Sequence, residues 1–183
     1  MENQAKGRPE TIILGGGCFW CTEAVFQGLR GVLDVVPGYC GGPGPSPSYA
    51  EVCTGTTGHV EVVQVTFDAD EITLPDLLEV FFATHDPSTP DRQGNDVGPQ
   101  YASVIFVHSA AQRAQAQAAI ERARQALGVP VVTQVREAMP FWPAEAEHLD
   151  YYARHPWQGY CQYVIAPKLN KLRQHFGKRL REG

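Results

Sequence analysis

Three consecutive glycines, Gly15 to Gly17, are the feature that most restricts how this chain can fold. Before them, Thr11 to Leu14 form a β-branched and apolar run that is typical of a buried strand. After them, from Cys18 to Leu29, apolar residues recur at the spacing of an amphipathic helix. Glycine permits the sharp turn that must join two such elements. The sequence therefore predicts a strand, a tight turn and a helix that begins near a cysteine.

Strand and helix patterns alternate along the rest of the chain. Strands are predicted over residues 31–36, 59–67, 101–107 and 131–136. Helices are predicted over residues 73–84, 109–127 and 143–154 and from Pro167 onward. Residues 37–48, 86–100 and 155–165 are predicted to be irregular or extended, and the first of these is too rich in Gly and Pro for a helix or a central strand. We expect a flexible lead (1–10) followed by one α/β domain (11–183), a mixed sheet with flanking helices.

Composition narrows the function classes. The net charge of −5 argues against nucleic acid or an anionic membrane as partner, since both require clustered positive charge. No apolar run approaches the roughly 20 residues of a membrane span, and the polar N-terminus lacks an apolar signal core, so we expect a cytoplasmic protein. Five cysteines in such a chain favour chemistry or metal binding over structural disulfides.

Cys18 stands where a nucleophile would be placed. A thiol in the first turn of a helix lies at the positive end of the helix dipole, near unpaired N–H groups, and both favour the reactive thiolate. Phe19 and Trp20 follow directly and supply an aromatic wall. The alternative is a structural cysteine in a tight turn, which the glycines and the Cys18-x-x-Cys21 spacing make less favourable.

Glu61 interrupts an otherwise apolar strand face that contains Val63, Val65 and Phe67. If the carboxyl group points to the core, the lack of solvation raises its pKa. A carboxyl group that remains protonated near neutral pH can act as a general acid. The alternative is a glutamate at the strand end that reaches solvent.

Beyond these two residues, six blocks of sequence resemble type A methionine sulfoxide reductases over nearly the whole chain. They are GGGCFWCTEAVF (15–26), GYCGG (38–42), PSYAEVCTGTTGHVEV (47–62), FFATHDPSTPDRQGNDVGPQYAS (81–103), FWPAEAEHLDYY (141–152) and GYC (159–161). The resemblance implies an α/β sandwich around a two-layer, ferredoxin-like plait. It also implies an oxidoreductase that repairs proteins under oxidative stress by reducing methionine-S-sulfoxide, free or in proteins.

The resemblance also implies a role for each matching residue. Cys18 matches the nucleophile, and Glu61, Tyr49 and Tyr101 match the groups that protonate or hold the sulfoxide oxygen. Phe19 and Trp20 match the pocket for the methyl group. Asp96 matches an acid that helps shape the substrate-binding site, and Cys161 matches a recycling cysteine.

The implied reaction leaves Cys18 as a sulfenic acid, which a second thiol converts to an intramolecular disulfide. An external dithiol, by resemblance thioredoxin, then reduces the disulfide, and no metal or other cofactor is needed. The implied partners are thioredoxin and oxidised proteins, peptides or free methionine sulfoxide, with no nucleic acid or membrane. We expect a monomer.

The chain departs from the family at Cys21, where many relatives have glycine, and after Cys161, where no later cysteine follows. Either Cys21 or Cys161 could resolve the sulfenic acid. Cys161 is favoured as the first resolving thiol because the GYC block matches and is predicted to lie on a flexible segment. Cys40 and Cys53 receive no role.

Three other functions compete with this interpretation. A zinc module would use the cysteines, but the chain has only one CxxC pair, and Glu145, Glu147 and His148 do not match the HExxH spacing. A thioredoxin-like disulfide exchanger would share the CxxC pair but gives no reason for an inward Glu61. A non-enzymatic module could bind oxidised or methylated peptides in an aromatic pocket.

Overall fold

The computed structural model describes residues 7–181. Its strands are β1 Pro9–Gly16, β2 Val32–Cys40, β3 Val60–Asp68, β4 Arg92–Gln93, β5 Asp96–Val97, β6 Ser103–Val107, β7 Gln134–Glu137 and β8 Trp142–Pro143. Its α-helices are α1 Phe19–Gln27, α2 Tyr49–Cys53, α3 Leu74–Ala83, α4 Ala110–Leu127, α5 Tyr151–Arg154 and α6 Ala166–Phe176. A π-helical stretch, Cys161–Ile165, leads directly into α6. Of the predicted N-terminal lead, residues 1–6 lie outside this description, and β1 starts at Pro9.

Six strands form one sheet in the order β7-β6-β1-β3-β2-β8. The four central strands pair antiparallel, and β7 joins β6 in parallel at one edge. The order β6-β1-β3-β2, with α1 and α3 as the connecting helices, is that of a two-layer plait. The predicted mixed sheet with flanking helices is confirmed.

The core lies mainly between the sheet and its helices. Apolar side chains of β1, β2, β3 and β6 pack there against residues of α1, α3 and α4. A smaller cluster, which includes Ile13, Val62 and Phe106, covers the other face of the sheet together with Met139 and Phe141. No helix among residues 7–181 combines the length and the apolar character that crossing a membrane requires.

The expectation that residues 37–48 avoid a central strand is wrong for the first four of them. Pro37 to Cys40 continue β2 and pair with β3. The carbonyl of Pro37 accepts the N–H of Ala144 at 2.9 Å, on the side of β2 away from β3. In a strand the N and the carbonyl of one residue point to the same side, so the missing proline N–H costs no bond to β3.

The helix predicted over 143–154 is also wrong. The segment contains β8, a 3-10 turn at Ala146–His148 and the short α5. Asp150 has a φ of 55°, which breaks a right-handed helix. The nearby prediction of an irregular segment over 155–165 holds for residues 155–158 and is wrong from residue 159 onward, where the chain is helical.

Candidate active site

The turn between β1 and α1 presents Cys18 at the start of the helix. Gly17 has a φ of 101°, and a Cβ there would lie 2.6 Å from Cγ of Gln93, so only glycine fits. Cys18 is the N-cap residue of α1, and its carbonyl accepts the N–H of Cys21 at 3.1 Å. The predicted strand, turn and helix are present.

The sequence interpretation of Cys18 as a thiol with a lowered pKa is wrong, because it could not account for burial. Cys18 is only 6% exposed, and its burial raises the pKa of its thiol well above the ordinary value. The neighbouring Cys18 thiol and then the Lys168 ammonium lower the pKa of Cys21 to about 7, against the effect of burial. The close contact of the two thiols therefore favours one negative charge on the pair over two.

Glu61 lies in the core, as the strand alternation predicts. Its side chain is 1% exposed, and its Oε1 accepts the N–H of Phe19 at 3.1 Å. Its Oε2 is buried without a hydrogen-bond partner. Burial raises the pKa of Glu61 to about 8, so the carboxyl group is mainly protonated at neutral pH.

Two phenols, Tyr49 and Tyr101, share the surroundings of Glu61. Tyr49 begins α2, whose start is fixed by a capping box between Ser48 and Glu51. Burial, followed by the negative charge of Glu61, raises the pKa of both tyrosines, so both hydroxyls remain protonated donors. The structure thus groups three neutral proton donors near the first turn of α1.

Trp20 and Phe19 form part of a larger aromatic wall. The indole of Trp20 stacks on Tyr151, with centroids 3.8 Å apart and planes 5° apart. Its Nε1–H donates to Nδ1 of His148 at 3.1 Å. The rings of Tyr49 and His148 are 4.3 Å apart. We define the wall as Phe19, Trp20, Tyr49, His148 and Tyr151.

Glu145 ties this wall to the sheet, and the sequence analysis missed that role. Its Oε1 accepts the hydroxyl proton of Tyr39 at 2.7 Å, and its Oε2 accepts the N–H of Tyr49 at 2.8 Å. The sequence analysis considered Glu145 only as part of a predicted helix over residues 143–154 and as a member of a metal-binding pattern that it does not match.

Asp96 and Cys21 both contact Tyr160. The carboxylate of Asp96 accepts the hydroxyl proton of Tyr160 at 2.8 Å, and that hydroxyl also lies 3.5 Å from Sγ of Cys21. A cavity of about 700 Å³ is lined by Cys18, Cys21, Asp96, Tyr160, Lys168 and Lys171, among others. We call this space the thiol-side cavity.

Cys161 is not on an irregular segment. It begins the π-helical stretch, has no exposed surface and packs in one cluster with Cys18 and Cys21. Cys40, by contrast, packs on the other face of the sheet, and Cys53 is exposed. Within residues 7–181, no three His, Cys, Asp or Glu side chains are grouped so that they could hold a metal ion.

Comparison with known proteins agrees with this geometry. The family model described as peptide methionine sulfoxide reductase matches residues 10–180. The peptide methionine sulfoxide reductase MsrA of Thermus thermophilus is 56% identical over 174 residues, which cover 94% of this chain and 99% of that protein.

Solved structures are similar as well. Reduced Mxr1 from Saccharomyces cerevisiae matches with a TM-score of 0.80 and 33% identity, over 84% of this chain and 90% of that one. Mxr1 in complex with Trx2 matches with a TM-score of 0.57 and 25% identity, over 79% and 85% of the respective chains.

Proposed function

Since this chain belongs to the peptide methionine sulfoxide reductase family and reduces methionine sulfoxide to methionine, we propose that Cys18 and Glu61 carry out the reaction. The observation that carries the assignment is the buried, mainly protonated carboxyl group of Glu61. Its Oε1 accepts the N–H of Phe19, the residue after Cys18, and its Oε2 has no hydrogen-bond partner. A buried acid with a free oxygen can bind a sulfoxide oxygen and give it a proton.

The chemistry follows from these positions. The Cys18 sulfur can attack the sulfoxide sulfur only if the sulfoxide oxygen accepts a proton while the sulfur–oxygen bond weakens. Glu61 supplies that proton, and the hydroxyls of Tyr49 and Tyr101 donate to the oxygen as charge builds on it. The proton that Cys18 gives up replaces the one that Glu61 has donated, so Glu61 is protonated again after the step. The bond between the two sulfurs then breaks as the protonated oxygen passes to Cys18, so that methionine leaves and Cys18 becomes a sulfenic acid.

Phe19 and Trp20 are proposed to hold the methyl end of the substrate. They belong to the aromatic wall, which is apolar at its rings and fixed by the bond between Trp20 and His148. Asp96 accepts the hydroxyl proton of Tyr160, so we assign it to shaping the substrate-binding site. The S epimer is the proposed substrate, free or in proteins.

Recycling is proposed to run through an intramolecular disulfide between Cys18 and a second thiol, Cys161 or Cys21. All three sulfurs pack in one cluster. Thioredoxin is the proposed external reductant, because the similar Mxr1 forms a complex with Trx2. Disulfide exchange supplies all the electrons, so the proposal needs no resident cofactor. A cycle that begins from free thiols suits the reducing cytoplasm.

The test uses purified protein, dithiothreitol and the separated S and R epimers of a methionine sulfoxide peptide, with methionine followed by mass spectrometry. We expect turnover of the S epimer alone, none in Cys18→Ser and a loss of about 100-fold or more in Glu61→Gln. Glu23→Gln is the matched control, because Glu23 is also buried in this region but faces the N–H of Asp150. Wild-type protein that reduces neither epimer would overturn the assignment and favour disulfide exchange.

A further inference from the structure

Two thiols pack beside Cys18, and their settings differ. Cys21 and Cys161 both share its cluster, but only Cys21 lines the thiol-side cavity together with Cys18. The question of which one resolves the Cys18 sulfenic acid rests on the proposed function, which creates that acid.

Cys21 lies in the same helical turn as Cys18. Cys18 is the N-cap of α1, and Cys21 is its third residue. Cα atoms three positions apart on an α-helix are about 5 Å apart, and disulfides bridge Cα separations of about 4.4–6.8 Å. A disulfide between these two residues can therefore close within one element of the fold.

Lys168 brings a positive charge to this turn from the other end of the chain. It lies on α6, and its Nζ donates to the carbonyl of Thr84 at 2.9 Å. Lys168 and Cys21 together line the thiol-side cavity and a second, much smaller pocket next to it. The hydroxyl of Tyr160 stands 3.5 Å from Sγ of Cys21. A cation and a hydroxyl near one sulfur are the surroundings that stabilise a thiolate.

Cys161 has the opposite surroundings. Its side chain has no exposed surface, and burial raises the pKa of its thiol. It lies on a helical stretch that continues into α6, whereas Cys21 shares the first turn of α1 with Cys18.

We propose that Cys21 is the thiol that condenses with oxidised Cys18, and that Lys168 is the positioning residue that keeps Cys21 reactive. The Cys21 thiolate attacks the sulfur of the Cys18 sulfenic acid. A sulfur–sulfur bond forms, the sulfur–oxygen bond breaks, and the hydroxide leaves as water with a proton from Glu61. Cys21 is oxidised and the Cys18 sulfur is reduced, and an external dithiol later reverses both changes.

The first experiment identifies the first disulfide. Full-length reduced protein is mixed with one equivalent of methionine sulfoxide, quenched in acid at successive times and alkylated, and its disulfides are mapped by mass spectrometry. We expect the disulfide of Cys18 with Cys21 to appear with the released methionine. In Cys21→Ser we expect the Cys18 sulfenic acid to accumulate, detected with dimedone.

The second experiment isolates the role of Lys168. At pH 7 we expect Lys168→Met to slow disulfide formation about threefold to tenfold, and to move the pH midpoint of this step upward. Lys171→Met is the matched control, because Lys171 is an exposed lysine on the same helix and the same cavity. Lys168→Arg should restore the rate by restoring the charge. Several other titratable groups surround Cys21, and their titration can also contribute to the pH profile. They are Cys18, Glu61, His85, Asp96, Tyr160, Cys161 and Lys168.

The outcomes separate this inference from the proposed function. If wild-type protein releases no methionine, the proposed function fails. If methionine is released but the first disulfide joins Cys18 to Cys161, the role of Cys21 is overturned while the reaction stands. Equal rates and equal pH midpoints in Lys168→Met and Lys171→Met would overturn the role of Lys168.

Discussion

The two sides of the first turn of α1 differ in the electrostatics that they offer to sulfur. On one side, Glu61 is buried, mainly protonated and surrounded by aromatic rings and phenols. On the other side, Cys21 faces a cavity with Lys168 and Tyr160. The first side suits proton delivery to an oxygen, and the second suits a thiolate. One helical turn can therefore serve two steps that need opposite protonation states.

The largest expected effect tests whether Glu61 acts on the substrate oxygen and leaves Cys21 unaffected. Glu61→Gln should reduce the single-turnover release of methionine about 100-fold or more, because glutamine cannot deliver a proton. The alkylation rate of Cys21 in the reduced protein should change by less than about threefold, since Glu61 faces Phe19. An equal loss in both measurements would mean that the two sides are not separate.

The pH dependence of the same step provides the next test. Because the pKa of Glu61 is raised to about 8, the proton donor is present below that value and is lost above it. Single-turnover methionine release should thus fall roughly tenfold for each pH unit above about 8. Measurement from pH 6 to 10 with both wild type and Glu61→Gln is decisive, because the Gln variant should lack this limb.

Removal of the aromatic wall should affect substrate binding more than thiol chemistry. Trp20→Ala deletes the ring that stacks on Tyr151 and donates to His148. We expect KM to rise about 10-fold to 100-fold, in line with the loss of one large aromatic contact. The rate of reduction by a dithiol of the preformed Cys18 disulfide should stay within about threefold. A change confined to that rate would contradict the assignment of Trp20 to the substrate side.

A smaller effect is expected at Glu23, which is buried on α1. Burial raises the pKa of Glu23 to about 7, above its ordinary value of 4.5. The folded protein therefore holds this proton more tightly than the unfolded chain does. The resulting contribution to stability is fully present below pH 4.5 and is lost as the pH rises to about 7. Denaturant unfolding should show Glu23→Gln more stable than wild type at pH 8, with a smaller difference at pH 4.5.

Local patterns were enough to predict one side of the site. The alternation around Glu61 predicts an inward carboxyl group, and the glycines before Cys18 predict a turn that exposes the start of a helix. Both inferences need only neighbours in sequence, and the strands and helices that carry these residues lie close to their predicted bounds. The strand predicted over residues 131–136 is observed at Gln134–Glu137. The β-branched residues 131–133 suggested an earlier start, but pairing with β6 begins only at Gln134.

The other groups depend on contacts between distant segments. Glu145 and His148 reach the wall only because Asp150 breaks the expected helix. Lys168 meets Cys21 only because α6 packs against α1, and no pattern around Lys168 indicates a charged residue near a thiol. The burial that raises the pKa of Cys18 is likewise a property of the packed cluster and not of its local sequence.

The attachment of the wall to the sheet has a consequence for how this protein can diverge. The segment that carries Glu145 and His148 joins the sheet through β8, a two-residue strand that pairs with β2 at Gly38 and Tyr39. The nucleophile turn belongs to β1 and α1, at the centre of the plait. Substitutions in the β8 segment can therefore alter which side chains meet the substrate while the thiol machinery remains intact. Substrate preference can therefore evolve separately from the thiol chemistry that reduces the substrate.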